Sequence, residues 1–211
     1  MSAERPDQPA FTVLLVCTGN ICRSALAERL GRAFLAQRLG QAADAVRLVS
    51  AGTRAVVDSA MHPDSALVLQ GFGAVAGDFR ARQLDERIAA GADLTLTMTR
   101  AHRREVLRLA PRALQRTFTL REAADLLQLV GPEVRPTGKD LPERARGLVK
   151  ELAGARSRRT AVTDDDVRDP IGAPLEVHEE VGELIAAVLL PILGRLADLN
   201  RGAVPADSAS S

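Results

Sequence analysis

The sequence predicts an α/β fold of three layers, a parallel sheet with helices on both faces, and two observations carry that expectation. Segments of strand length recur, and the first, FTVLLVC (11–17), is a nearly unbroken apolar, partly β-branched run, as expected of a strand buried on both faces. Between them lie stretches with apolar residues at helical spacing, long enough to cross from one parallel strand to the next. A third observation places the chemistry. The first apolar run closes on a cysteine, and TGNICRS follows before the first helical pattern begins.

The elements follow in order. After the strand 11–17, apolar Leu26, Leu30, Ala33 and Phe34 recur at helical spacing from about residue 22 to 39, and Gly40 stands where a C-cap belongs. VRLVSAG (46–52) reads as a second strand ending in a turn. PDSALVLQG (63–71) reads as a helix with Pro63 at its start and Gly71 at its end. A short helix over 84–91 leads into the strand ADLTLTM (92–98). A helix over 100–111 stops at Pro111, RTFTL (116–120) gives a fourth strand, and 121–130 is helical again. The rhythm then breaks. Pro132, Pro136, Gly138 and Pro142 predict a loop, and LPERARGLVKELAGA (141–155) an inserted helix within about 131–162. The last helix, 175–199, carries the stripe Val181, Leu184, Ile185, Val188, Leu189, Ile192 and Leu196, with Pro191 as an expected kink. Residues 1–200 read as one domain, and 201–211 as a frayed tail.

Composition narrows the classes. Of 211 residues 46% are apolar, enough for a core and too many for a disordered chain. The formal net charge of +1 supplies no global field toward nucleic acid or a membrane surface, and neither partner is expected. Lys139 and Lys150 are the only lysines among 28 basic residues, and the chain has no Trp and no Tyr. Cys17 and Cys22 offer no disulfide framework, the N-terminus makes a poor signal peptide, and no apolar run reaches membrane-spanning length. A cytoplasmic protein is the expectation.

The loop after the first strand is the candidate site. In open parallel sheets ligands bind beyond the carboxyl ends of the strands. A tight loop there turns successive backbone N–H groups inward, and the helix that follows adds its positive end. Gly19 and Asn20 are residues that tolerate the left-handed angles such a loop needs. These dipoles and Arg23 favour a thiolate at Cys17. Arg23 can hold two oxygens of a phosphoryl group while Cys17 attacks phosphorus, and the Ser24 hydroxyl can bond the sulfur. Cys22 also reads simply as a small apolar side chain packing the loop.

VCTGNICRS (16–24) resembles the signature loop of the low-molecular-weight protein-tyrosine-phosphatase family, Cys-x-Gly-Asn-x-Cys-Arg-Ser. The likeness extends through VSAGT (49–53), ARQL (81–84), ADLTLTMTRAHRREVLRLAP (92–111) and Asp169–Pro170. The resemblance implies a four-stranded sheet of order 2-1-3-4 and metal-free, cofactor-free hydrolysis of phosphorylated proteins or small phosphomonoesters. It implies Cys17 as the nucleophile that becomes phosphocysteine. Phosphate, or another oxyanion, would sit on Arg23 and on the backbone of Thr18, Gly19, Asn20, Ile21 and Cys22. Asn20 would prop the loop by bonds involving Ser50. Asp169 would be general acid and then base, ahead of the neighbouring Asp164, Asp165 and Asp166, which otherwise read as a solvated acidic turn. A reversible Cys17–Cys22 disulfide is also implied by the family alone.

The pattern departs from the family at its walls. Aromatic side chains commonly line that cleft, whereas Ile171 and Gly172 follow the Asp-Pro pair here, and Phe72 and Phe79 are the remaining wall candidates. The insertion, with Arg144, Arg146, Arg156, Arg158 and Arg159, reads either as another specificity wall or as a solvated amphipathic helix. His62, His102 and His178 show no metal-ligand spacing with the cysteines or carboxylates and read as surface or capping residues. Two rival functions stand beside the phosphatase. One is an arsenate reductase recycled by an external thiol, since a relay of three cysteines is excluded by count. The other is a non-catalytic oxyanion- or phosphoprotein-binding module.

Overall fold

The computed structural model describes residues 10–160 and 164–200. The tail expected over 201–211 lies outside the described residues. Strands β1 (Phe11–Cys17), β2 (Val46–Gly52), β3 (Leu94–Thr97) and β4 (Thr117–Thr119) form one sheet of order β2-β1-β3-β4, parallel at every pairing. β1 is central, and all seven of its residues are buried, which is why its sequence is apolar without alternation.

Helices α1 (Arg23–Leu39), α2 (Pro63–Gly71) and α7 (Leu175–Asp198) cover the sheet together with α5 (Leu120–Val130) and α6 (Leu141–Ala155), building the larger core with the inward side chains Val13, Leu15, Leu48 and Leu96. On the opposite face α3 (Glu86–Gly91) and α4 (Arg100–Leu109) close a smaller core over Leu14, Val16 and Ala51. Alternate residues of β1 thus enter opposite cores, as the pleat requires. Local chemistry sets the helix ends. Thr99 and Asp140 cap α4 and α6, and Thr119 with Glu122 makes a capping box on α5. Gly40 ends α1 at φ 53, an angle that favours glycine.

Helix α6 fits the amphipathic reading of the insertion, with its apolar face in the core and Glu143, Lys150 and Glu151 exposed, and its contacts lie away from the cleft. Leu141, Leu148 and Leu152 lie in the main core, and Arg146 pairs with Asp93 at the start of β3, the end of the sheet remote from Cys17. Past α6, Arg156 bonds Glu122 at 3.0 Å and lies over the Phe118 ring at 4.1 Å. Arg159 clamps Asp125 and Asp165 together, at 2.6 and 2.5 Å. Arg144, Arg146, Arg156 and Arg159 work as struts, and the last of them anchors the segment that leads to Asp169.

Candidate active site

β1 delivers Cys17 to the carboxyl edge of the sheet, and residues 18–22 turn directly into α1. A second segment, 53–62, runs behind this loop. Thr53, Arg54, Val56 and His62 donate their N–H groups to the carbonyls of Cys17, Thr18, Gly19 and Ile21, at 2.8–3.0 Å. With the carbonyls engaged outward, the loop's own N–H groups face the opposite side, the arrangement that cradles an anion. Asn20 carries the left-handed angle, φ 55. Gly19 does not, contrary to expectation, because one residue suffices to reverse the chain there.

The side chains around sulfur form a directed chain. Arg82 N–H donates to Asn20 Oδ1 at 2.8 Å, which fixes the orientation of that amide. Asn20 Nδ2 then donates to Ser50 Oγ at 2.8 Å and to Ser24 Oγ at 2.9 Å. Ser50 passes its proton toward Glu28 Oε2 at 2.6 Å, and Ser24 lies 2.9 Å from Cys17 Sγ. Since Ser24 Oγ accepts from the amide, its own hydrogen is free to point at sulfur. The backbone N–H of Asn20 donates to the same sulfur at 3.3 Å. Two donors therefore converge on Cys17 Sγ, which suits a negatively charged sulfur. Asn20, Ser24, Glu28 and Ser50 have no exposed surface, so solvent does not compete.

Glu28 was not anticipated from the sequence. Its signal was helical spacing, since Ser24, Glu28 and Arg32 stand four apart on one face, and the Arg32 guanidinium forms an ion pair with Glu28 Oε1 at 2.8 Å. Gly52 was likewise passed over. A Cβ there would stand 2.4 Å from the Thr18 carbonyl oxygen, so the residue permits β2 to back the loop closely. Gly52→Ala is expected to displace the loop, lowering turnover more than tenfold with a stability loss of about 1–3 kcal/mol, read by steady-state assay and thermal melt.

Arg23 is 4% exposed. Its Nη1 is anchored to the Val167 carbonyl at 2.9 Å, Nη2 reaches Asp169 Oδ2 at 2.5 Å, and buried Nε has no partner. One edge of the guanidinium is thus fixed, and the other is held by a carboxylate that an incoming anion can replace. The competing aspartates are engaged elsewhere: Asp164 on Arg121, Asp165 on Arg159 and Asp166 on the N–H of Arg100. The run read as a solvated turn is instead pinned, with Asp165 buried. Of these four, Asp169 is the one joined to the loop.

The remaining expectations divide. Phe79 is buried in the core and so lines no cleft, while Phe72, 38% exposed, packs toward Gly182 of α7. Ile171 and Val56 are exposed near the loop, so the apolar surface there is aliphatic. Cys17 and Cys22 are both free thiols, and burial pushes the Cys22 thiol up to about 11. Arg100, Arg103 and Arg108 of α4 are spent on ion pairs with Asp166, Glu122 and Glu105. No helix of the described residues is long and apolar enough to cross a membrane.

The histidines correct the sequence reading most. His102 is buried, with Nε2 2.9 Å from Thr18 Oγ1 and Nδ1 2.9 Å from Thr99 Oγ1, tying the loop to the start of α4. Burial, reinforced by Arg23, pushes it down to about 4, so it stays neutral at working pH. A histidine depressed in the fold supports stability above the unfolded value near 6.5 and loses that contribution as pH falls toward 4. The denaturant midpoint is therefore expected to fall across that window, and to fall less in His102→Gln. A midpoint equally steep in both proteins would sink this assignment.

A parallel sheet whose central strand ends in a buried Cys-x5-Arg loop, with an aspartate on the arginine, defines the class of oxyanion-binding cysteine sites. Comparison with known proteins narrows it further. The family model for low molecular weight phosphotyrosine protein phosphatases matches residues 12–128, more than half of the chain. The chain belongs to that family. It is 33% identical over 99 residues to the low molecular weight protein-tyrosine-phosphatase Wzb of Salmonella typhi, a match spanning 47% of this chain and 61% of that protein. Among solved structures, the low molecular weight protein tyrosine phosphatase of T. tengcongensis superposes with TM-score 0.60 at 28% identity, covering 90% of this chain and 99% of that one. The YwlE arginine phosphatase of Geobacillus stearothermophilus gives TM-score 0.59 at 26% identity, covering 89% and 91%.

Proposed function

We propose that the protein hydrolyses phosphomonoesters, foremost phosphotyrosine in proteins, through a phosphocysteine intermediate. The observation that carries this reading is the convergence of two hydrogen-bond donors on Cys17 Sγ beside an Arg23 whose outer edge is held by the Asp169 carboxylate. The phosphoryl group takes the place of the Asp169 carboxylate on Arg23, with Nε and Nη2 holding two of its oxygens and the N–H groups of 18–23 the rest. Cys17 sulfur attacks phosphorus in line while the leaving oxygen departs on the opposite side. The displaced Asp169, 41% exposed, takes up a proton from solvent and gives it to that oxygen. In the second step the same carboxylate takes a proton from water, which attacks phosphorus. Sulfur leaves as thiolate, steadied by Ser24 and the N–H of Asn20, and inorganic phosphate is released.

Asp169→Asn is the discriminating variant. Loss of the acid is expected to slow hydrolysis about 10²-fold for alkyl or unactivated aryl phosphates and far less for a good leaving group. Removing the carboxylate that competes for Arg23 should also tighten inhibition by inorganic phosphate. A uniform loss across leaving groups, or an equal loss in Asp166→Asn alone, would move the acid elsewhere.

A second substrate reading has a specific basis. The exposed surface near the loop is aliphatic, at Val56 and Ile171, and one structural relative is an arginine phosphatase. Phosphotyrosyl and phosphoarginyl peptides of the same sequence, assayed side by side, separate the two by their kcat/KM. The arsenate reductase and inert-binder alternatives are less favoured by the family match. Free thiols at Cys17 and Cys22 suit a reducing compartment such as the cytoplasm.

A further inference from the structure

At the end of the phosphate loop three residues distant in sequence meet. Cys22 closes the loop, His62 stands immediately before α2, and His178 lies in the first turns of α7. Their ligand atoms all fall within 4.8 Å of one another. The two imidazoles stack at 4.9 Å between centroids, with planes 16° apart. The phosphatase chemistry above uses none of these three side chains.

The hydrogen bonds within this group are incomplete in a directed way. His178, whose side chain has no exposed surface, has Nδ1 3.0 Å from Ser65 Oγ, and its buried Nε2 has no partner. His62 Nδ1 is also buried and has no partner. Both of these nitrogens face one carboxylate oxygen, Asp64 Oδ2, at 3.8 Å from His62 Nδ1 and 3.9 Å from His178 Nε2. These distances are too long for hydrogen bonds. Buried polar atoms without partners are rare in folded proteins and call for a cause. Here two imidazoles with orphaned nitrogens and a thiol bring ligand atoms within 4.8 Å of one another, and a carboxylate oxygen borders the two nitrogens.

We propose that Cys22, His62, His178 and Asp64 form a binding site for a zinc-class divalent cation. The donor set is that of such a site: one sulfur, two imidazole nitrogens and one carboxylate oxygen, a mixture that suits Zn²⁺ or Co²⁺ rather than Mg²⁺ or Ca²⁺. The outer partner is already in place, because a ligating histidine needs its second nitrogen held, and Ser65 Oγ holds that of His178. Tetrahedral zinc sets sulfur and nitrogen ligands about 3.5 Å apart, so the group must contract by roughly an ångström. His62 is the side chain able to supply that movement. It is 26% exposed, and tilting it out of the stack aims Nδ1 at the ion. Binding replaces the thiol proton: Cys22–SH and M²⁺ give Cys22–S–M and a released H⁺. The Cys22 thiolate and the Asp64 carboxylate then neutralise the two positive charges of the ion, so no net charge is buried. No redox step is involved. The bound ion would tie the phosphate loop to the starts of α2 and α7, and α7 follows directly from the Asp169 segment. The inference rests on side chains that the phosphatase chemistry does not use and does not depend on the phosphatase reading.

The test uses the full chain and Co²⁺ as a spectroscopic stand-in for Zn²⁺. The absence of Trp and Tyr leaves the near-ultraviolet clear for a sulfur-to-cobalt charge-transfer band. One equivalent of Co²⁺ should produce that band in the wild type and equally in Cys17→Ser, and Zn²⁺ should displace it. Cys22→Ser should abolish the band, and His62→Gln should weaken Co²⁺ binding at least about tenfold. Zn²⁺ should also raise the thermal midpoint of the wild type and of Cys17→Ser but not of His62→Gln, which answers any doubt about folding of the variants. A band that survives Cys22→Ser but vanishes in Cys17→Ser would assign the metal to the catalytic thiol and overturn the proposal. So would the absence of a band, or binding indifferent to His62→Gln.

Discussion

Cys17→Ser is expected to reduce turnover of an aryl phosphate about 10⁴-fold or more while the protein keeps its fold and still binds inorganic phosphate. The magnitude follows from removing a nucleophile whose neighbours cannot replace it. The convergent donors serve sulfur, the stronger nucleophile and the better leaving atom, whereas a serine hydroxyl in the same place has no base to take its proton. Glu28 ends the hydrogen-bond chain on the far side of Asn20 and accepts from Ser50, so it draws no proton from residue 17. Binding survives because the cradle is backbone and Arg23. Steady-state kinetics with phosphate competition on the wild type, and equilibrium phosphate binding on the variant, read both halves. Retained turnover would remove Cys17 from the mechanism, whatever the family.

Arg23→Lys is expected to cost on the order of 10³-fold in kcat/KM, although the charge is kept. The guanidinium does two jobs at once. Nη1 holds the Val167 carbonyl, and with it the segment that carries Asp169, while Nε and Nη2 remain for the phosphoryl oxygens. A lysine ammonium is a single point and cannot reach both. Phosphate inhibition should weaken, and the loss should be largest for poor leaving groups, because the acid is no longer positioned through Val167. A variant within tenfold of the wild type would show that charge alone is what the site requires.

These predictions rest on parts of the molecule that differ in how openly the sequence displays them. β1, the loop and α1 are contiguous, and each is specified by local rules: uninterrupted apolar residues for a strand buried twice, Asn20 for the left-handed turn, 3.6-residue spacing for the helix. Sequence alone therefore carried Cys17, Arg23 and Ser24 into one site. α6 was placed correctly in the chain, but its surroundings were not legible. Its arginines and those just past it look solvated until tertiary contacts set Arg144, Arg146, Arg156 and Arg159 on carbonyls or carboxylates. Asp169 needed the family likeness, since nothing in the run 164–166 reveals that its members are bound to Arg121, Arg159 and the start of α4.

The histidines were the least legible. His102 meets Thr18 only because β1 and β3 are neighbours in the sheet, and His62 meets His178 only because α2 packs on α7. Pairings of that kind come from topology rather than spacing. Glu28 lay between these extremes. Its place four residues after Ser24 put it on the loop side of α1, and a count along the helix would have found it.

The central claim is that a phosphoryl group passes through Cys17. The most direct measurement is to quench the enzyme during turnover of an aryl phosphate, in denaturant at mildly alkaline pH where a thiophosphate ester survives, and to map the modified peptide by mass spectrometry. The account predicts one phosphoryl group on the peptide that contains Cys17, absent in Cys17→Ser. A phosphoryl group on another residue, or steady turnover with none on the protein, would contradict it.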